Sequence, residues 1–146
     1  MLEEMKALVR EKDICVLSTV SGNRPHCSLM AYATEEDYRT FYMATLKSTQ
    51  KYRNLKDNPY VSLLIDTREE KMGSMHRRGK ALTVSGIFQE ILDEGKKRYA
   101  RDKLLERHPY LEEFMNHPQA TLFCIKVSSF LLLDGLMDAY FEKVSE

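Results

Sequence analysis

Thr45, Lys47, Ser48, Thr49 and Lys51 bring three hydroxyls and two ammonium groups to one short stretch of chain. The stretch stands where a helix over residues 48–56 is expected to begin; Asp57-Asn58-Pro59 closes that helix, because proline cannot continue it. The first turn of a helix carries unpaired N–H groups and the positive end of the backbone dipole, so an anion is favoured there. Lysine and hydroxyl groups add charge-assisted bonds that suit a phosphate dianion. Neither G-x-x-x-x-G-K-[ST] nor G-x-G-x-x-G occurs, so the two common nucleotide loops do not apply. Taken alone, the same residues also describe a solvated helix start, with Thr or Ser as cap and lysine in water.

Other residues with chemical capacity are scattered. His26 lies on an alternating strand with no acid or base partner in the pattern, and reads as a surface or interface histidine before a catalyst. Residues 67–79, TREEKMGSMHRRG, lack periodicity and read as a long exposed loop. Lys71, His76, Arg77 and Arg78 make it basic, with Gly73 and Gly79 as hinges: a solvated turn, or a lid over an anionic ligand. His108 and His117 precede prolines near helix ends, and no H-x-x-x-H or carboxylate cluster accompanies them, so no metal site is expected. Cys15, Cys27 and Cys124 are odd in number and without C-x-x-C spacing, which predicts buried reduced thiols rather than disulfides or zinc. Lys96, Lys97, Arg98, Arg101 and Lys103 are interrupted by Asp102 and preceded by Glu94, the mark of a solvated helix face rather than a nucleic-acid stripe.

The elements that must position these groups follow from periodicity. Leu2, Met5, Leu8 and Val9 predict an amphipathic helix over 2–12. A β-rich run over 14–20 ends at Ser21-Gly22-Asn23-Arg24-Pro25, a strong turn. In the next strand Cys27, Leu29, Ala31 and Ala33 share one face and His26, Ser28, Met30 and Tyr32 the other. Further strands are expected at 40–44, 61–65, 82–88 and 121–127, the last continuing through 130–133, with a helix over 93–107 capped by Asp93. Tight turns between successive strands, without crossover helices, predict a mainly β fold: a six-stranded antiparallel barrel with short flanking helices. Cys15 and Leu17 alternate with the equally apolar Ile14 and Val16, so the outside of the sheet is expected to be covered, most simply by a second subunit.

Bulk properties limit the function classes. The 146 residues are expected to form one domain, 43% hydrophobic and 30% charged. Lys plus Arg (22) balances Asp plus Glu (22), so no global field draws in nucleic acid or anionic lipid. No apolar run approaches the roughly 20 residues needed to span a bilayer, and the charged N-terminus is unlike a signal peptide, which points to a cytoplasmic protein.

Asn23-Arg24-Pro25-His26, then Phe41-Tyr42-Met43-Ala44-Thr45, then Lys51-Tyr52-Arg53-Asn54-Leu55, Asn58-Pro59 and Val61-Ser62-Leu63-Leu64-Ile65-Asp66 together resemble the pyridoxamine 5′-phosphate oxidase-related, FMN-binding split-barrel family. The resemblance covers residues 13–89 and, more loosely, 121–133. It implies a split barrel forming a two-fold homodimer with FMN across the interface. By position, His26, Cys27, Ser28, Leu29 and Met30 would run beside the isoalloxazine, largely through backbone groups. Thr45, Ser48, Thr49 and Lys51 would hold ribityl and phosphate oxygens, with Lys47 and Asn54 as secondary candidates, and the strand at 81–86 would come from the partner. The oxidase itself carries Ser-Arg-Lys where this chain has Thr49-Gln50-Lys51, one guanidinium fewer, with Lys47 or Arg53 as replacements. Its long substrate-binding C-terminal segment has no counterpart here, so authentic oxidase activity is not expected. The resemblance implies hydride or electron transfer between a donor such as a reduced nicotinamide and a small acceptor. Its alternative is a haem- or flavin-binding carrier of the same fold, with His26 or His76 as the first haem ligands to test; a third reading is a flavin-free dimer with a sensory or structural role.

Overall fold

A computed structural model of the chain describes residues 2–67 and 79–144. The basic loop expected over 67–79, with Lys71, His76, Arg77 and Arg78, lies outside them except for its ends. Helix α1 (Glu3–Glu11) buries Met5, Leu8 and Val9 on one stripe. Strands β1 (Ile14–Ser21) and β2 (Arg24–Ala31) pair antiparallel through Gly22 and Asn23, whose φ of 54° and 64° make the two-residue turn that matches strand twist. The chain continues through Tyr32 into β3 (Ala33–Thr34), β4 (Thr40–Leu46), α2 (Gln50–Asp57), β5 (Tyr60–Asp66) and β6 (Lys80–Glu90). Helix α3 (Glu94–Arg107), a 3₁₀ turn (Pro109–Leu111) and α4 (Glu112–Met115) precede β7 (Ala120–Asp134) and β8 (Asp138–Lys143).

Every strand pair is antiparallel, in the order β2-β1-β5-β6-β7-β4-β3, with β8 also on β7. β2 and β3 are one run of chain broken only at Tyr32, yet they stand at opposite ends of that order. The sheet must therefore curl until its ends meet. β2 touches β4 without pairing to it, so the barrel is split along that line. The six strands expected are present, but β3 and β8 make the sheet of the described residues eight-stranded, a correction to the count of six. No helix among the described residues is long and apolar enough to cross a membrane.

Alternation sends Leu17, Phe41, Met43, Leu63, Ile65, Leu82, Val84, Phe123, Ile125, Phe130 and Leu132 into the barrel, where each is fully buried. The opposite face is divided. α3 and α4 lay Leu104 and Met115 over Tyr42, Ala44 and Leu122, covering β4 and the first half of β7. Across the remaining strands Leu29, Val16, Leu64, Thr83, Leu131 and Phe141 stand in register in a single outward row. Leu29 at one end is 72% exposed and Phe141 at the other 65%.

β7 changes partner midway. Residues 120–126 pair with β4 and 129–134 with β8. Between them Ser85 pairs with Ser129 but Gly86 with Val127, so Ser128 is the extra residue of a bulge that bends the strand. At this bend Gly86 lies flat on β7: a Cβ there would stand 2.6 Å from Ile125 Cγ2 and 2.7 Å from Lys126 O. The end of α1 is tied to the barrel by side chains. The single Tyr32 hydroxyl proton is shared between the carbonyls of Val9 (2.7 Å) and Lys12 (2.6 Å), and Arg107 donates to those of Arg10 and Lys12. Carbonyls that the last turn of a helix leaves open are thereby satisfied.

Candidate functional site in the barrel split

α2 begins where expected and for the expected reason. Thr49 is its N-cap: the hydroxyl accepts from Tyr52 N–H at 3.2 Å and donates to Leu46 O at 2.8 Å. Arg53 N–H is taken by Thr49 O, which leaves the N–H groups of Gln50 and Lys51 at the open end of the helix. The Arg53 guanidinium folds back onto Ser48 O (2.9 Å) and Gln50 Oε1 (3.0 Å), stiffening the turn rather than reaching out of it. Ser48 is exposed. Thr45 is buried beneath, its hydroxyl 3.4 Å from that of Thr49.

Lys51 points into the split. Its ammonium stands 3.0 Å from Met30 Sδ on β2, half-buried, and no carboxylate among the described residues pairs with it. Burial lowers its pKa from the ordinary lysine value. A cation whose neighbour is a thioether has lost water without gaining a counter-ion. That is the arrangement an incoming anion completes.

β2 forms the other wall. It ends the sheet order, so one backbone edge of Arg24–Ala31 has no strand partner among the described residues, and Pro25 near its start is a residue that edge strands tolerate. The face carrying Met30 and Tyr32 is the inner one, since these are 5% and 0% exposed. His26 and Ser28 share that side and open progressively to solvent toward the hairpin turn. Cys27 and Leu29 project from the outer side, where Cys27 Sγ lies 3.5 Å from Ser18 Oγ. Cys15 and Cys124 are buried as expected, but Cys27 is exposed. This correction has a simple cause: no layer of the described chain covers the outer face of an edge strand. Burial pushes the Cys15 thiol up to about 12.

Two sequence candidates sit elsewhere. The Asn54 amide is 3% exposed, donates to Thr19 Oγ1 at 3.1 Å and accepts from Gln50 Nε2 at 2.7 Å. It pins α2 to β1. Asn54→Ala is therefore expected to cost about 1–2 kcal/mol, by leaving Thr19 unpaired in the interior. Thermal unfolding reads this directly, and an unchanged midpoint would contradict the role. Lys47 extends the β4–β7 ladder through its N–H to Gln119 O (2.8 Å), and its side chain lines a separate crevice with Lys97 and Arg101. The free edge of β2 was not singled out from the sequence as the feature that makes backbone contact possible; Arg24-Pro25 at the strand start is the signal that marks it.

The curled, split sheet and its end helix define a split-barrel protein. The pyridoxamine 5′-phosphate oxidase family matches residues 1–133, and the chain belongs to that family. No curated protein matches it. Among solved structures it is similar to a heme-binding protein from Mycobacterium smegmatis (TM-score 0.83, 15% identity), covering 97% of this chain and 57% of that one. This chain thus spans little more than half of that relative's length. It is also similar to an FAD-binding protein from Mesorhizobium loti (TM-score 0.75, 16% identity, 93% and 96% covered). General stress protein 26 from Bacillus anthracis matches at TM-score 0.69 and 21% identity, with 97% of each chain covered. At such identities the likeness is one of fold.

Proposed function

We propose that this chain is a subunit of a homodimeric flavoprotein that holds FMN in the split between β2 and the start of α2. On this reading it passes hydride or electrons from a donor such as a reduced nicotinamide to a small acceptor. The observation that carries the reading is Lys51: a half-buried ammonium, 3.0 Å from a thioether, with no carboxylate beside it among the described residues. A phosphate dianion at the α2 N-terminus would meet that charge, the Ser48 hydroxyl and the open N–H groups together. The ring would then lie along β2, where the unpaired edge of Arg24–Ala31 offers N–H and C=O groups to its polar rim. FMN supplies the redox chemistry; the protein's part is to anchor the phosphate, orient the ring and exclude water. Family membership does not carry the substrate.

The second subunit is argued from the outward row. Six strands at about 4.8 Å spacing place Leu29 and Phe141 about 24 Å apart. Apolar or small side chains line the whole distance, the scale of a standard interface face. The family resemblance implies that the partner's strand equivalent to 81–86 would complete the site beside β2.

One observation favours a second reading: His26 is exposed on the same strand face as Ser28, and the M. smegmatis relative binds heme by its description. The absorption spectrum of the purified protein, with sedimentation at micromolar concentration, separates the two. Flavin bands and a dimer mass are expected. A Soret band lost in His26→Ala would give the haem reading instead. A colourless monomer that takes up no FMN would remove both.

A further inference from the structure

We infer that the crevice between the outer face of β4–β7 and helices α3–α4 is a second anion site, distinct from the α2 N-terminus, which takes a small phosphate-type oxyanion. Lys47, Lys97 and Arg101 converge on it from two elements, over a floor that includes Ala120, Leu122 and Met115. No carboxylate among the described residues lines it. Lys97 and Arg101 are four residues apart on α3 and so share one helix face, where like charges weaken a helix. A third cation, Lys47 just past the end of β4, lines the same hollow and adds to that repulsion. Two acids outside the lining offset part of it: Glu94, 86% exposed, meets Lys97 at 3.2 Å, and Glu90, held by Lys56 and Tyr52, also lies within the field of Lys47.

Size and donor supply narrow the ligand. The hollow measures about 140 Å³. At roughly 30 Å³ per water it has room for a few waters, or for one phosphate group, but not for a nucleoside. Arg101 spends one nitrogen on Asn116 Oδ1 at 2.9 Å, leaving the rest of its fork for an oxyanion, and the two ammonium groups supply point charges. Three cations favour a dianion over a monocarboxylate. Phosphate carried on a larger molecule would leave the remainder in solvent.

Inorganic phosphate titrated into the isotopically labelled protein at constant ionic strength tests this by amide chemical shifts. Saturable shifts are expected at Lys47, Lys97, Arg101 and residues 120–122, with acetate giving a clearly weaker response. Lys97→Gln/Arg101→Gln should weaken phosphate at least about tenfold, the loss of one or more charge-assisted bonds. Arg101→Lys, which keeps the charge, should retain most of the affinity and guards against a general loss of fold. Lys51→Ala should leave these shifts in place; their disappearance would return the anion to the α2 turn and overturn the proposal. Shifts that never saturate, equal binding of acetate, or indifference to the double substitution would overturn it as well.

Discussion

Lys51→Ala is expected to weaken FMN binding by roughly ten- to a hundredfold, the equivalent of a charge-assisted bond worth about 1.5–3 kcal/mol. Riboflavin, which lacks the phosphate, should bind the two proteins nearly alike. The contrast isolates charge from architecture, because the side-chain bond of Lys51 goes to a thioether, a weak acceptor, while Thr49 and Asn54 hold α2 in place. Equal losses for FMN and riboflavin would assign Lys51 to the fold. The pH dependence has a definite sign. In the free protein burial lowers the Lys51 pKa from 10.5, and a bound dianion would raise it again. Affinity is then greatest below the free-protein value and declines as pH rises from that value through the bound one. Unfolding responds in the opposite sense. Between the lowered pKa and 10.5 the unfolded chain holds more protons than the folded one, so Lys51 favours the fold increasingly as pH climbs through that window.

Gly86→Ala should be strongly destabilising, since its added Cβ would meet two atoms closer than 3.0 Å. Over-packing a core generally costs about 1–3 kcal/mol. Here one of the two atoms in the way, Lys126 O, belongs to the backbone of a bent strand and cannot swing aside. A loss near about 3 kcal/mol lowers the melting temperature of a chain this size by roughly 10 °C. Ser85→Ala, one residue away and half-exposed on the outer face, is the control and should stay within about 0.5 kcal/mol. Similar melting curves for Gly86→Ala and Ser85→Ala would show that β7 yields at its bulge.

Much of this arrangement is legible in the residues because alternation is a local property. β1, β5 and β6 each set an apolar residue at every second position, and their ends are marked by Gly22-Asn23 and Pro59. β3 is too short to show a period, and β8 mixes Asp, Ala, Tyr, Phe, Glu and Lys so that neither face stands out; the Asp134-Gly135 pair before it was its usable sign. The two faces of β2 could be separated from sequence, but not which one turns inward. That depends on which face of the β1–β2 hairpin packs against β5, β6 and β7, strands further along the chain. Within the site, the Thr49 cap and the Lys51 cluster follow from residue type and position. The divergence of Lys47 from Lys51 does not: it is set by the turn at 47–49 and by α3, some fifty residues away, supplying Lys97 and Arg101.

The partner change along β7 bears on how the chain acquires its fold. Residues 40–46 find their hydrogen-bonded neighbours at 120–126, so the barrel wall beside the split cannot form until a strand far along the chain has been made. Closing so long a loop costs entropy before any contact repays it, and sheets with such distant pairings fold in milliseconds to seconds rather than microseconds. Until then β4 has only the two residues of β3 to lean on, while β1, β2 and β5 can already associate among themselves. A chain in which β4 has not yet met β7 would present a bare edge, the kind of edge that recruits other chains. Assembly of the turn at 47–49, which follows β4 directly, waits on the same late event.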